Sequence, residues 1–398
     1  MVAAIAAGRA GAAVTVLEKG DRVGRKLLAT GNGRCNLTNV DLRLSHFHCN
    51  QPEFVRGALS RFGAFQAISF FAKLGVLAIV EEKGRVFPRS GQASAVLDAL
   101  RWEMEDLGVE VRCGSIVKEV LRSENRFSVR TSAGQQMVSA DAIVLATGGR
   151  AAPSLGADDS GMLVALSLGH SLVQTFPVIS SLRLASPWLK HLQGTRFLTA
   201  ATIRVDGEIA TASFGEALFL EQGASGPAVM DVCRIATQGV RAGKTVELCL
   251  DLVPEAGVGQ VRQELERRLV MRPDRPIAAM LVGYLNKRLV VPLLRAADLP
   301  DLDQPGRNLT GDQLARLALV LKDWRFPVTG SGPWSAAQAT AGGIDTVDVH
   351  PDTLESRLVP GLHFAGEVLD VDGDCGGYNL QWAWASGFVA GDAAARLT

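Results

Sequence analysis

The pattern of apolar and polar residues is of one kind at the two ends of the chain and of another kind in its middle. Residues 1–11 are small and apolar, which is typical of a helix, and residues 13–17 form a short β-branched strand that closes on Glu18. Residues 142–149 predict a buried parallel strand that ends in a Gly pair, and residues 375–397 predict a Gly turn followed by a long helix. A small-residue helix, then a strand, then an acidic residue is the order found in the second half of a βαβ unit.

The middle of the chain favours antiparallel strands and then helices. Residues 197–220 alternate in polarity around the hairpin signal Asp206-Gly207, and residues 246–252 form another strand. Residues 254–324 have helical periodicity, and Thr310 to Gln313 resembles a capping box. We therefore predict an antiparallel sheet or barrel, with helices, inserted into the first domain.

A complete βαβ unit begins with a strand and a G-x-G-x-x-G loop, and residues 1–11 contain neither. We therefore expect that Met1 is not the natural start, and that roughly 15 codons upstream encode the missing strand and loop. A truncated remnant that cannot hold a cofactor is the alternative.

Composition excludes several classes of partner. The chain has 398 residues, and its 41 Lys and Arg balance 41 Asp and Glu, so no strong field would recruit nucleic acid or an anionic membrane. No apolar run reaches about 18 residues, so we predict no membrane span. The six cysteines form no C-x-x-C pair and no metal-binding spacing, which favours the cytoplasm and predicts no metal site.

Two segments near the start predict a site for a dinucleotide. Glu18, at the end of a strand, is placed to accept hydrogen bonds from the hydroxyls of an adenosine ribose. The loop 24–36 is rich in glycine, so backbone N–H groups can approach a pyrophosphate, and Arg25 and Arg34 can pair with its charge. A surface carboxylate and a solvated basic turn are the alternatives.

Two further segments complete the predicted site. The strand end Ala146 to Gly149 must turn beneath the dinucleotide, and Glu367 is placed to hold a ribityl hydroxyl. The last helix, which starts near Asn379, would direct its positive end at a flavin ring that becomes negative on reduction. Small residues on one face of that helix allow close approach of a backbone or a cofactor, and they are Ala383, Gly387 and Gly391.

Several stretches resemble one known family: LEKGDRVGRKLLATGNGRCNLTN, GRVFPRSGQAS, VLATGG, EQGASGPAVM, ATAGGI and LVPGLHFAGEVLDVDGDCGGYNLQWAWASG. Together they resemble the YhiN/BaiN-like bacterial flavoproteins, also known as the aminoacetone-oxidase family, within the FAD superfamily that includes glutathione reductase. The resemblance implies an α/β fold with a Rossmann-like, glutathione-reductase-like FAD-binding domain (1–170 and 346–398). An inserted antiparallel β-barrel-like domain (171–253 and 325–345) and a small helical subdomain (254–324) complete the predicted organisation.

The resemblance also implies which residues bind FAD noncovalently. The predicted contacts are Glu18, Lys19, Arg25, Arg34, Val117 through its backbone, Thr147, Gly148, Gly366, Glu367, Asn379 and Leu380, and the surrounding loops add Gly33, Cys35, Gly376 and Gly377.

The expected activity is that of an FAD-dependent oxidoreductase acting on a small organic substrate, by amine oxidation or by enone reduction. No second G-x-G-x-x-G marks a nicotinamide domain, so NAD(P)H is a candidate for a transient electron donor only. A nucleic-acid-modifying flavoprotein is the competing hypothesis. No residue is identified as catalytic: the six histidines share no motif and each is predicted to be structural, and a redox pair of Cys35 with Cys375 is a minor alternative.

Overall fold

The computed structural model describes residues 1–123, 126–132, 137–299 and 301–396. It divides into two compact units: unit 1 comprises Met1–Pro177 and Gln338–Thr398, and unit 2 comprises Val178–Ala337. The α-helices are α1 (Val2–Arg9), α2 (Arg25–Ala29), α3 (Phe54–Arg61), α4 (Ala64–Lys73), α5 (Ala93–Asp106), α6 (Ser160–Ser167), α7 (Leu189–Leu192), α8 (Pro227–Arg241), α9 (Val258–Met271), α10 (Ile277–Met280), α11 (Lys287–Ala296), α12 (Gly311–Lys322) and α13 (Tyr378–Ala395).

The strands of both units are short, apart from a long hairpin in unit 2. They are β1 (Thr15–Leu17), β2 (Thr38–Asn39), β3 (Phe47–His48), β4 (Ala78–Val80), β5 (Arg85–Pro88), β6 (Glu110–Arg112), β7 (Val117–Ser123), β8 (Arg126–Thr131), β9 (Met137–Ala140), β10 (Ile143–Leu145), β11 (Leu172–Val178), β12 (Leu182–Leu184), β13 (Arg196–Val205), β14 (Glu208–Leu220), β15 (Gly223–Ser225), β16 (Val246–Asp251), β17 (Trp324–Ser331), β18 (Ala339–Ile344), β19 (Leu362–Phe364) and β20 (Asp372–Gly373).

Unit 1 is built on parallel strand pairs and the two helices from its ends. Strand β1 pairs in parallel with β6, and β10 pairs in parallel with β19. Parallel pairs of this kind belong to α/β folds, the class that the sequence predicts. Strands β7, β8 and β9 form a separate antiparallel sheet.

Helices α1 and α13 pack closely against each other. A Cβ added to Gly391 would lie 2.1 Å from the carbonyl oxygen of Ala3, so a side chain at this position would collide with the neighbouring backbone. The small face predicted for the last helix is therefore confirmed, and the group that approaches it is the backbone of α1. Buried residues of both helices, including Ile5 and Trp382, belong to one hydrophobic core.

Unit 2 is a closed barrel with the strand order β12-β15-β14-β13-β16-β17. The predicted hairpin turn lies between β13 and β14, where Asp206 and Gly207 have φ angles of 51° and 87°. Helix α12 begins with the predicted capping box: the N–H of Gln313 donates to Thr310 Oγ1 at 3.2 Å, and the N–H of Thr310 donates to Gln313 Oε1 at 2.9 Å. The barrel and the hairpin that the sequence predicts are thus confirmed.

The two units divide the chain differently from the domains expected from the sequence. Strands β11 and β18 pair with each other, and residues 171–177 and 338–345 belong to unit 1. Helices α9 to α12 share one hydrophobic core with the barrel, through residues such as Leu265, Leu317 and Phe326. Among the described helices, none is both long and apolar enough to cross a membrane.

Candidate cofactor-binding site

Glu18 lies directly after β1, and its backbone is held in line with β6. Its N–H donates to the carbonyl oxygen of Arg112 at 3.0 Å, and its Oε1 accepts a hydrogen bond from the N–H of Gly20 at 2.7 Å. This contact fixes the carboxylate, so its second oxygen, Oε2, can accept hydrogen bonds from ribose hydroxyls. The neighbouring Lys19 forms an ion pair with Asp158, and Val117 begins β7 opposite Thr131.

The loop from Gly24 to Asn36 turns through left-handed conformations. Gly31, Asn32 and Gly33 have φ angles of 56°, 56° and 82°, a region that glycine adopts without strain. Arg25 Nη2 donates to the carbonyl oxygen of Ser154 at 2.9 Å. Arg34 pairs with Glu81, and its guanidinium carbon lies 4.1 Å from the centroid of the Phe87 ring.

The two guanidinium groups therefore contact different protein partners in this structure. The role predicted for Arg25 and Arg34, pairing with a pyrophosphate, stays a prediction.

Cys35, within this loop, is completely buried. Burial raises the pKa of its thiol to about 12, and a hydrogen bond with Thr30 lowers it only in part. A thiol with that pKa stays protonated at neutral pH and is a poor nucleophile. Cys375 is exposed, so the structure gives no support to a redox pair between these two cysteines.

The carboxylate of Glu367 accepts hydrogen bonds from three separate segments, and we call it, with its donors, the Glu367 hub. Lys26 Nζ donates to Oε2 at 2.6 Å, the N–H of Gly149 donates to Oε2 at 3.2 Å, and the N–H of Thr340 donates to Oε1 at 2.6 Å. Both carboxylate oxygens of Glu367 already accept hydrogen bonds from the protein. A ribityl hydroxyl that contacts Glu367, as predicted, would therefore share these acceptors with the protein donors.

The strand end at 146–149 contacts Thr340 on one side and the start of α6 on the other. The hydroxyl of Thr340 accepts hydrogen bonds from the N–H groups of Arg150 at 2.9 Å and Ala151 at 3.0 Å, and a Cβ on Gly149 would lie 2.4 Å from that hydroxyl oxygen. Gly148 has a φ of 78°. Thr147 faces the start of α6, where a Cβ on Gly161 would lie 1.9 Å from its Oγ1.

The N-terminus of α13 is shaped by a glycine pair. Gly376 and Gly377 have φ angles of 145° and 104°, and a Cβ on Gly377 would lie 2.5 Å from the carbonyl oxygen of Thr38. The side chain of Asn379 is engaged with the backbone of Gly373, whose N–H donates to Oδ1 at 2.9 Å and whose carbonyl oxygen accepts from Nδ2 at 2.7 Å. The backbone N–H of Asn379, rather than its side chain, is therefore the group that can meet a ligand.

Gly366 and Leu380 lie on either side of this turn. The N–H of Gly366 donates to Ser386 Oγ at 2.8 Å, and Trp382 Nε1 donates to the Gly366 carbonyl oxygen at 3.1 Å. Leu380 is half-buried against the core of unit 1. Both residues thus support the position of α13.

Comparison with known protein families identifies the family of this chain. Residues 1–393 match the family model described as the HI0933-like protein Rossmann domain. The chain belongs to the HI0933-like family. The resemblance to YhiN/BaiN-like flavoproteins seen in the sequence is confirmed, and the protein is an FAD-dependent oxidoreductase.

Relatives of this HI0933-like protein carry two different names. It is 38% identical over 406 residues to the 3-dehydro-bile acid delta(4,6)-reductase of Clostridium scindens, which covers 100% of this chain and 96% of the relative. It is 32% identical over 383 residues to the ribosomal RNA dihydrouridine synthase of Escherichia coli, covering 96% of this chain and 92% of the relative.

One solved structure has a similar fold: the 3-ketosteroid delta1-dehydrogenase of Sterolibacterium denitrificans, with a TM-score of 0.51 at 13% identity over 100% of this chain and 97% of that chain.

Unit 1 of this HI0933-like protein fits FAD in three respects. The first N–H groups of α13 have no intrahelical acceptor, and they carry the positive end of the helix dipole. Within the described residues, Asn36 Oδ1 is buried without a hydrogen-bond partner, and it would lie 2.9 Å from a Cβ on Gly377. Glu18 provides a free carboxylate oxygen at the end of β1. Among the described residues, these N–H groups and side-chain oxygens have unused hydrogen-bonding capacity. They lie in the segments that the sequence assigns to the two ends of FAD.

Sequence reasoning assigned no role to two of the three donors of the Glu367 hub, Lys26 and Thr340. Lys26 lies in the loop that was singled out, but only Arg25 and Arg34 were selected from it as cations. Thr340 lies in the stretch ATAGGI, which was matched to the family without a role for its hydroxyl. Their contacts with Glu367 span 341 and 27 residues of sequence, so only the family match could have drawn attention to them.

Proposed function

We propose that this protein reduces a carbon–carbon double bond that is conjugated to a carbonyl group in a small organic molecule. One observation carries the proposal: two relatives with different substrates have names that describe the same bond change. A delta-4 double bond of a 3-dehydro-bile acid lies next to a ketone, and the double bond lost in forming dihydrouridine lies next to a ring carbonyl. Enone reduction is therefore favoured over the amine oxidation that the sequence also allowed.

In this proposal, the candidate site holds the cofactor and polarises it. Glu18 would bind the adenosine ribose, the turns at Gly148 and Gly376 would pass beneath the dinucleotide, and Glu367 would lie near the ribityl chain. When bound, FAD supplies a hydride to the substrate. The positive end of α13 favours the negative charge of the reduced ring, which makes the reduced cofactor easier to form.

A reductase also needs a source of electrons, and NAD(P)H is the donor that we propose. We expect it to bind only transiently, because the chain contains no second G-x-G-x-x-G for a nicotinamide domain.

Anaerobic stopped-flow spectroscopy at the flavin absorbance tests both halves of the proposal. The oxidised protein is mixed with NADPH, NADH or aminoacetone, and the reduced protein is mixed with a steroid enone or a simple cyclic enone. We expect bleaching by a nicotinamide and re-oxidation by an enone. Bleaching by aminoacetone with no re-oxidation by any enone would replace enone reduction with amine oxidation.

Ribosomal RNA modification is the second candidate, favoured by the 32% identity with the dihydrouridine synthase of Escherichia coli. The zero net charge of this chain favours a small-molecule substrate without nucleic acid. A third arm of the experiment therefore mixes the reduced protein with unmodified ribosomal RNA, and mass spectrometry measures dihydrouridine. We also propose a cytoplasmic location, because six cysteines scattered along a long chain without C-x-x-C pairs are typical of a reducing compartment.

A further inference from the structure

The side-chain amide of Asn36 has no hydrogen-bond partner among the described residues. Its Oδ1 is buried and accepts from no protein group, whereas its Nδ2, which also lacks a protein partner, lies on the accessible side of the amide. An Asn amide offers two donor hydrogens and an acceptor oxygen, and leaving a buried polar atom unpaired costs free energy. An unpaired amide at this position therefore needs an explanation.

Asn36 lies between two glycine turns. A Cβ on Gly31 would lie 2.9 Å from the backbone nitrogen of Asn36, and a Cβ on Gly377 would lie 2.9 Å from Asn36 Oδ1. Both glycines have positive φ angles, 56° and 104°. Gly31 belongs to the loop that the sequence assigns to FAD, and Gly377 is the N-cap of α13. The surroundings of this amide are thus kept free of side chains on two sides.

The neighbouring Asn39 differs from Asn36 in this respect. Its Nδ2 donates to the carbonyl oxygens of Lys83 and Gly376, both at 3.1 Å, and its Oδ1 accepts from the N–H of Asp41 at 3.0 Å. Asn39 therefore holds its segment in place through protein contacts. The side chain of Asn36 adds no hydrogen bond of this kind, so its polar atoms are not explained by the stability of the segment.

The position of Oδ1 determines which atom of the amide can meet a ligand. Oδ1 lies beside the N-cap of α13, where the positive end of the helix dipole favours an oxygen. The nitrogen of a planar amide lies on a different side of the same carbon atom. Nδ2 is therefore the donor that Asn36 presents outward at this turn.

We infer that Asn36 Nδ2 donates a hydrogen bond to the flavin ring of FAD, at the edge formed by N1 and the C2 carbonyl. This is the edge that the positive end of α13 is expected to face, and it becomes more negative on reduction. A hydrogen bond to a charged acceptor is about twice as strong as one between neutral groups. Asn36 therefore binds the reduced ring more tightly than the oxidised ring, and it raises the midpoint potential of the bound cofactor.

Asn36→Leu tests this inference because leucine has a similar shape and no polar atoms. An anaerobic redox titration against a reference dye measures the midpoint potential of the bound flavin without any substrate. We expect the potential to fall by about 30 mV, which corresponds to tenfold weaker binding of reduced relative to oxidised FAD. Asn36→Asp, which replaces the donor by a carboxylate, should lower the potential at least as far.

The free energy of unfolding of the apoprotein in urea separates a cofactor contact from a structural role. Asn36→Leu breaks no protein hydrogen bond and removes an unpaired buried oxygen, so the apoprotein should be as stable as the wild type or more stable. Asn39→Leu loses three protein hydrogen bonds and should lower that stability. Asn308→Leu, at an exposed position in unit 2, should change neither quantity.

An Asn36→Leu protein with the wild-type midpoint potential overturns the inference. Apoprotein as unstable as that of Asn39→Leu also overturns it, because Asn36 would then have a structural role. A folded Asn36→Leu protein that releases FAD supports the contact. A wild type that reduces no enone overturns the proposed function and leaves this inference standing, because the redox titration requires FAD alone.

Discussion

Replacement of Glu367 by Gln perturbs the Glu367 hub with almost no change in shape. The carboxylate accepts from Lys26 and Gly149 at one oxygen and from Thr340 at the other. An amide keeps only one acceptor, so one side of the hub would face an NH₂ group that cannot accept. The ion pair with Lys26 would also lose its negative partner, and the Glu367 side chain is only 18% exposed.

The size of the effect follows from these contacts. A hydrogen bond to a charged group contributes about 1.5–3 kcal/mol, and the hub joins three segments that border the predicted FAD site. If FAD binding requires these segments to be held together, the lost hydrogen-bond energy weakens FAD binding. Each loss of about 1.4 kcal/mol raises the FAD dissociation constant tenfold. We therefore expect the FAD dissociation constant to rise by roughly 10-fold to 100-fold.

Titration of the apoprotein with FAD, followed by quenching of flavin fluorescence, measures this dissociation constant. The control is Glu216→Gln in unit 2, where Glu216 Oε1 pairs with Arg196 Nη1 at 2.9 Å but both side chains are well exposed. An exposed ion pair of this kind contributes little, so FAD affinity should not change. Affinity within twofold of the wild type for Glu367→Gln, or an equal loss in both variants, would refute the role of the hub.

Three further changes address the fold. Gly391→Ala should lower the melting temperature of unit 1, because its Cβ would lie 2.1 Å from the Ala3 carbonyl oxygen. Overpacking of this kind costs about 1–3 kcal/mol of stability. An unchanged melting temperature would mean that α1 and α13 separate easily. Thr310→Ala should cost unit 2 about 1 kcal/mol in urea unfolding through loss of the capping box, whereas Thr310→Ser should cost far less. Burial lowers the pKa of His170 below 6.5, so the unfolded chain binds a proton that the folded chain resists, and stability falls as pH drops below about 6.5. His170→Gln should flatten this decline in urea midpoints, and an unchanged slope would show that His170 does not cause it.

Local sequence patterns were sufficient to predict those elements whose interactions are themselves local. The hairpin at Asp206-Gly207 and the capping box at Thr310 each depend on residues within a few positions of one another. The same holds for the position of Glu18 at the end of β1, which follows from a strand that ends in an acidic residue. These features could be predicted because the chain needs no distant partner to form them.

The contacts that build the candidate site were not predictable in this way. Lys26 and Glu367 are 341 residues apart, and His46 and Asp374 are 328 apart. A single sequence contains no signal that pairs such positions, so the histidines were each assigned a structural role. The pairing of β3 with β20, and the hydrogen bond from the Asp374 N–H to the His46 carbonyl oxygen, bring these two residues together.

Several long-range contacts of unit 1 join a residue before unit 2 in the sequence to a residue after it. Lys26 with Glu367 is one such contact, and Thr38 donating to the Gln381 side chain at 2.6 Å is another. Neither the segment before unit 2 nor the segment after it contains all the residues of the predicted FAD site. The predicted site can therefore form only when both segments have folded together. A ligand that binds only this assembled state stabilises it by mass action. If FAD binds at the predicted site, its free energy of binding acts on the joining of these two segments, whereas the barrel of unit 2 has a hydrophobic core of its own.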